Sequence, residues 1–359
     1  MKSLLFLLIT TIATGCATPG HSQKNESLFT NLKSIKAQTK HINIDTEFIL
    51  EPIYCTAIKN ELLSGSFLTD PMIEVYNVQT KLQGHSIQPQ GKGPDEMLRL
   101  SSMYTHNNLL FLYSSMEGKI FWRNMDEASA KPMITLYADA RKRDLFWFKM
   151  APVAGNRYIV TGIMDPEVKS QFALLDSTLR VTRYFDSFPV EGTPMANLSF
   201  PQQSMGFQGW MTVTPDGKKM MWTSKPGSIF RFYDLSQQRP LKIKEYIRNI
   251  PVFYARTDTD TGVEQDKDNE WGVLNATAND SCFFALYSSK RIAEGSLESS
   301  DIYVFDLQGN PIRHLVLDRL ATHIVWVPGE GEEAQTVRGL YMFGRNEESL
   351  EPEIFKVLY

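Results

Sequence analysis

Ile229-Phe230-Arg231-Phe232-Tyr233-Asp234 is an apolar strand that closes on an aromatic residue beside a carboxylate, and the same beat returns five more times in the chain. The other copies occupy residues 73–77, 120–123, 172–176, 302–306 and 353–356. Their ends, from Tyr76 through Trp122, Leu175, Tyr233 and Phe305 to Phe355, are 46, 53, 58, 72 and 50 residues apart. Each copy follows another apolar segment, at 62–65, 109–115, 158–162, 220–224, 283–289 and 340–344. One such segment repeats almost literally, Leu112-Tyr113-Ser114-Ser115 returning as Leu286-Tyr287-Ser288-Ser289. A four-stranded propeller blade needs about 40–50 residues, so the period favours a propeller over a single sandwich. Turn residues between the strands, as in Pro215-Asp216-Gly217 and Gln308-Gly309-Asn310, supply the positive φ that tight hairpins need.

The sixth repeat offers only three strands before Tyr359, which leaves an open sheet edge with unpaired backbone groups. Upstream, Ile42-Asn43-Ile44 and Phe48-Ile49-Leu50 have strand character and are the expected donors of the missing strand. The sequence therefore predicts an all-β fold: a six-bladed β-propeller closed by an N-terminal strand that completes the last blade. No apolar segment of helical period stands outside the N-terminus.

At 359 residues with 42% apolar content, the chain can bury a large core, and its repeats run without a linker. The net charge of -4 is spread over both signs, which provides no basic stripe for nucleic acid. Residues 1–15 combine a charged start, the apolar run Leu4-Leu5-Phe6-Leu7-Leu8-Ile9 and small residues before Cys16, too short a run to span a hydrocarbon core of about 30 Å. This pattern resembles a bacterial lipoprotein leader, with Ala13 where Leu is usual. The resemblance implies cleavage before Cys16 and lipidation of that residue, palmitate included, and hence a membrane anchor. Ala17 is similar to the sorting residue of outer-membrane lipoproteins, and periplasmic face and cell surface both stay open. Residues 16–40 read as lipidated Cys and flexible tether, and 41–359 as propeller.

Cys55 and Cys282 belong to the first and fifth repeats, which are not neighbours in a ring of six. A bridge needs Cα atoms within about 7 Å, so two free thiols are expected. Signatures of common catalytic families are missing: no His-Glu-x-x-His, no Cys-x-x-Cys, no Gly-x-Ser-x-Gly and no Walker loop. The six histidines show no metal-ligand spacing, and no cofactor or metal is expected. The acidic stretch 258–270 misplaces its Gly and lacks the bidentate Glu of a calcium loop, so it reads as a solvated rim loop. Gly91-Lys92-Gly93-Pro94-Asp95-Glu96 lacks the Lys-Ser/Thr ending of a phosphate cradle and reads as a turn between the first two blades.

That Gly-x-Gly-Pro-x-Glu turn, the Cys16 leader and the late segment 302–311 resemble the TolB-like six-bladed propeller lipoproteins of Bacteroides-type bacteria. Asp95 stands where that family has Gly. The resemblance implies fold and an envelope location, and the family is largely without assigned activity.

Candidate binding residues come from position. Trp147, Trp210 and Trp271 stand shortly before the turns of the third, fourth and fifth repeats. On one funnel rim they would make a stacking platform for a sugar face or a peptide side chain, with Arg99, Lys149 and Gln208 as polar companions. The alternative is that these Trp wedge between blades as packing. Three functions remain: a lipid-anchored, non-enzymatic binder of a glycan, peptide or envelope protein; a lyase or hydrolase with its site in the central channel; and a scaffold in an envelope complex. Fold alone does not choose among them.

Overall fold

The computed structural model describes residues 29, 32–126, 132–137, 146–163, 167–295, 297–332 and 334–359. The leader and Cys16 lie outside the described residues. Among those described, no helix is long and apolar enough to cross a membrane.

Six four-stranded blades follow one another along the chain. Their innermost strands are Tyr54–Ile58, Ser102–His106, Phe146–Val153, Gly209–Val213, Glu270–Ala278 and His323–Val327. Each pairs antiparallel with the next strand in sequence, which pairs with the third. The apolar segments legible in sequence are these second and third strands, buried on both faces between neighbouring blades. Tyr113 and Tyr287, the repeated tyrosines, both reach across a blade seam. The Tyr113 hydroxyl donates to the Trp147 carbonyl at 3.0 Å, and Tyr287 bonds Ser228 at 2.6 Å.

Ring closure follows the expected logic with a different strand. Ser34–His41 is the outermost strand of blade six. Its second half pairs antiparallel with 355–358 of that blade, and its first half runs parallel to 314–317 at the edge of blade five. One strand thus satisfies the edges of two blades. The expected donors, 42–50, instead cross from blade six to blade one: Ile42 N–H donates to the Ile354 carbonyl at 2.9 Å and Asp45 N–H to the Lys81 carbonyl at 2.8 Å. Ile42 and Ile44 are buried between those blades, which explains their apolar character. The true closing strand, SIKAQTKH, is solvated over most of its surface and carries no apolar signal. Strand accordingly begins at Ser34, inside the segment read as tether.

The 72-residue interval is accounted for by the passage from blade four to blade five, which adds a hairpin of Phe253–Ala255 and Val263–Gln265. A short helix, Phe200–Gly206, opens on a capping box between Ser199 and Gln202 and lies against that hairpin. Within the acidic stretch Asp258 pairs with Arg256, both exposed. Cys55 and Cys282 are free thiols.

Candidate functional site

The innermost strands enclose a central cavity of about 390 Å³ lined by groups from all six blades, reaching from Tyr54, Lys149 and Trp210 to the hairpin turns at Lys59, Asp216 and Asp280. All six strands run in one direction, so the channel has two chemically distinct ends. At the end where the first hairpins turn, charge is paired: Lys59 contacts Asp126 at 2.6 Å and Glu330 at 3.2 Å, and Asp216 lies 3.3 Å from Lys218.

At the opposite end, where the strands begin, the arrangement reverses. The Lys149 ammonium sits 3.9 Å above the Trp210 ring, and Lys225 faces Trp271 at 5.7 Å. Tyr54 and His323 each stand edge-on to Trp210, with ring centres 6.4 Å away. Burial, with Lys225 adding repulsion, pulls the Lys149 amine down to about 7. Cation–π attraction of about 0.5–2 kcal/mol favours the charged amine but does not offset this. No carboxylate contributes to the environment of either lysine, and burial lowers Lys225 as well. His323 is held down at about 4, chiefly by burial and then by Lys225, against the pull of the Ile53 backbone. Burial raises the Tyr54 hydroxyl to about 12. The indole N–H groups of Trp210 and Trp271 are buried without an acceptor among the described residues. Around Lys149 and Trp210 the described groups are therefore donors and cations, while Glu270 at the same end is already paired with Arg248.

Local backbone irregularity decides which side chains face the channel. The pairing of Phe146–Val153 slips between Trp147 and Lys149, a bulge that breaks the alternation of a regular strand. Gly162, opposite Trp147, has φ +153°, and a Cβ there would meet the Phe146 carbonyl at 2.3 Å. Trp147 enters the inter-blade core, 2% exposed, while Lys149 lines the cavity. A second slip brackets Trp271, which packs against the core of blades five and six. Trp210 pairs regularly with Thr223 and lines the cavity. Lys225 arrives through the turn Lys225-Pro226-Gly227, docked on blade five by a 2.8 Å bond from Gly227 N–H to the Glu270 carbonyl. Gly272 makes that approach possible: a Cβ at its φ of +66° would meet the Gly227 carbonyl at 1.7 Å.

Of the six residues expected on one rim, the structure thus brings Trp210 and Lys149 together in the cavity and gives Trp147 to the core. Trp271 joins the cluster only through Lys225. Arg99 is exposed, its guanidinium 4.2 Å from the Phe67 ring centre, and it influences Tyr54. Gln208 is exposed, with its carbonyl bonded to Lys225 N–H. Lys225, His323 and Tyr54 escaped the sequence reading. A lysine in a Pro-Gly turn reads as solvated, and only ring closure brings Tyr54 of blade one and His323 of blade six across the channel to Trp210 of blade four. The Gly91–Glu96 turn is structural: the Glu96 carboxylate accepts from Gly93 N–H at 2.7 Å and fills the space above both glycines, where a Cβ would collide with it. Among the described residues, no group of three His, Cys, Asp or Glu could hold a metal ion.

With the blades and channel in place, the class is that of a closed six-bladed propeller. The chain belongs to the TolB-like six-blade propeller-like family, whose model matches residues 30–327. Among solved structures it is similar to a protein of Bacteroides fragilis described as exported, with 10% identity, TM-score 0.55, and coverage of 90% of this chain and 99% of that one. A DUF4221 family member from Bacteroides vulgatus gives 9% identity, TM-score 0.54, and 91% and 97% coverage. At these identities the likeness is one of fold. No curated protein sequence matches the chain.

Proposed function

We propose that this protein is an exported, lipid-anchored propeller that binds a small anionic ligand in its central channel, against Lys149 and Trp210. The observation that carries the reading is Lys149, stacked on Trp210 and repelled by Lys225 without an ion-pair partner among the described residues, while the carboxylates of the cavity wall, Asp216 and Asp280, stand at its hairpin end. A half-buried, desolvated cation without a counter-ion is costly, and an anion that arrives with its own charge relieves that cost. The volume suits one sugar-sized or amino-acid-sized group, and aromatic faces with polar donors suit a uronic acid or a peptide carboxylate. Export and anchoring rest on the leader and Cys16, in keeping with the exported description of the Bacteroides fragilis relative.

A thermal-shift titration of the full chain with acidic monosaccharides and short peptides tests the binding. Saturable stabilisation by acids, absent with neutral sugars and lost in Lys149→Gln and Trp210→Ala, is expected. Equal shifts in the variants would refute the site. Cys16→Ala is expected to move the protein from the membrane to the soluble fraction, and continued membrane association would refute the anchor.

A further inference from the structure

The same cluster offers a chemistry beyond reversible ion pairing. Lys149 Nζ has no hydrogen-bond acceptor among the described residues and is fixed by the Trp210 ring inside a cavity large enough for a second molecule. Its nearest charged influence is another lysine, not an acid. An amine held this way keeps a free lone pair, and an adjacent cation together with burial is the arrangement that makes a lysine nucleophilic. Lys225, behind the cavity wall, adds positive potential where a carboxylate would lie beside Lys149. We propose that Lys149 condenses with small carbonyl compounds that carry a carboxylate, forming a reversible imine in the channel. This rests on the anion-binding reading and specifies the ligand class within it: 2-oxo acids, aldehyde acids and the open-chain form of acidic sugars.

The step balances without an external oxidant or reductant. The Nζ lone pair attacks the carbonyl carbon, and the carbonyl oxygen takes a proton. The resulting carbinolamine then loses that oxygen as water while nitrogen gives up its remaining proton, so amine plus carbonyl becomes imine plus water. Trp210 blocks one face of the amine, which leaves attack to the cavity side. Fractional deprotonation supports the step, because an amine shifted down to about 7 is substantially neutral where ordinary lysines are charged.

Glyoxylate, the smallest molecule with both groups, is the probe, and cyanoborohydride traps the product by adding hydride to the imine carbon. Peptide mapping of the full chain is expected to show Lys149 labelled at least tenfold faster than the average lysine. The rate should saturate with glyoxylate and be suppressed by glycolate, which has the carboxylate but no carbonyl. Lys149→Arg, melting as the parent does, should lose the fast label. Labelling spread evenly over the lysines would overturn the proposal. If that occurs while glycolate still stabilises the fold through Lys149, only the imine fails; if glycolate has no effect either, the anion site fails with it.

Discussion

Two cations in this propeller, buried Arg231 and half-buried Lys149, are handled in opposite ways. Arg231, on the third strand of blade four, is 4% exposed and surrounded by acceptors. Its guanidinium bonds Glu245 at 2.5 Å, Gln171 at 2.5 Å and the Ser187 carbonyl at 2.6 Å, with Asp186 at 3.6 Å. Asp186 also takes the Tyr233 hydroxyl and lies 3.3 Å from Lys242, so blades three and four are joined by a network in which nearly every charge is answered. Lys149, on the innermost strand of blade three, has an aromatic face, a second lysine and no ion-pair partner among the described residues. A paired buried charge fixes a seam. An unpaired one, held at a cavity, is a demand for a ligand.

The comparison breaks most sharply at Arg231. Arg231→Met is expected to destabilise the fold by about 3–5 kcal/mol in urea unfolding, because it takes the donor from the Gln171 side chain and the Ser187 carbonyl and leaves Asp186 and Glu245 to the exposed Lys242 alone. At the channel the sign should invert. Lys149→Met is expected to raise stability by about 1 kcal/mol at pH 7, as apolar replacement of a desolvated, unpaired ion does. It should also remove a pH dependence. The unfolded chain holds the Lys149 proton up to its ordinary 10.5, whereas the folded chain releases it near 7. Between those values the unfolded state binds more protons, so parental stability should rise with pH across that window, and the variant should lack the rise.

How much of this was legible in sequence depended on which surfaces are buried twice. Second and third strands, covered on both faces, announce themselves as apolar runs, and their period counted the blades. The closing strand Ser34–His41 is an outermost strand with mostly polar, solvated side chains. It left no pattern, and the apolar 42–50 crossing beside it drew the assignment instead. The site was half legible for a related reason. Trp147, Trp210 and Trp271 do begin consecutive inner strands, but bulges at the first and last re-aim the side chains, and alternation rules assume no bulge. Lys149 was noticed only as a companion. The neighbours that make it unusual, Lys225 and His323, come from a turn and from another blade.

The smallest expected effect is at His323, whose ring is held neutral to about 4. The unfolded chain protonates this residue near the ordinary 6.5, so acidification from 6.5 toward 4 should erode parental stability. His323→Phe is expected to flatten that part of the melting-temperature profile. An unchanged slope would mean that the histidine charges in place and that the channel end tolerates still more positive charge.

The central claim is that Lys149 is a desolvated amine without an ion-pair partner among the described residues, and its own titration tests this most directly. An NMR titration of the lysine side chains, with Lys149 assigned by Lys149→Arg, should show one amine with a midpoint near 7 in the free protein, moving upward when a small acid binds. A midpoint near the ordinary 10.5, unmoved by any acid, would contradict the account.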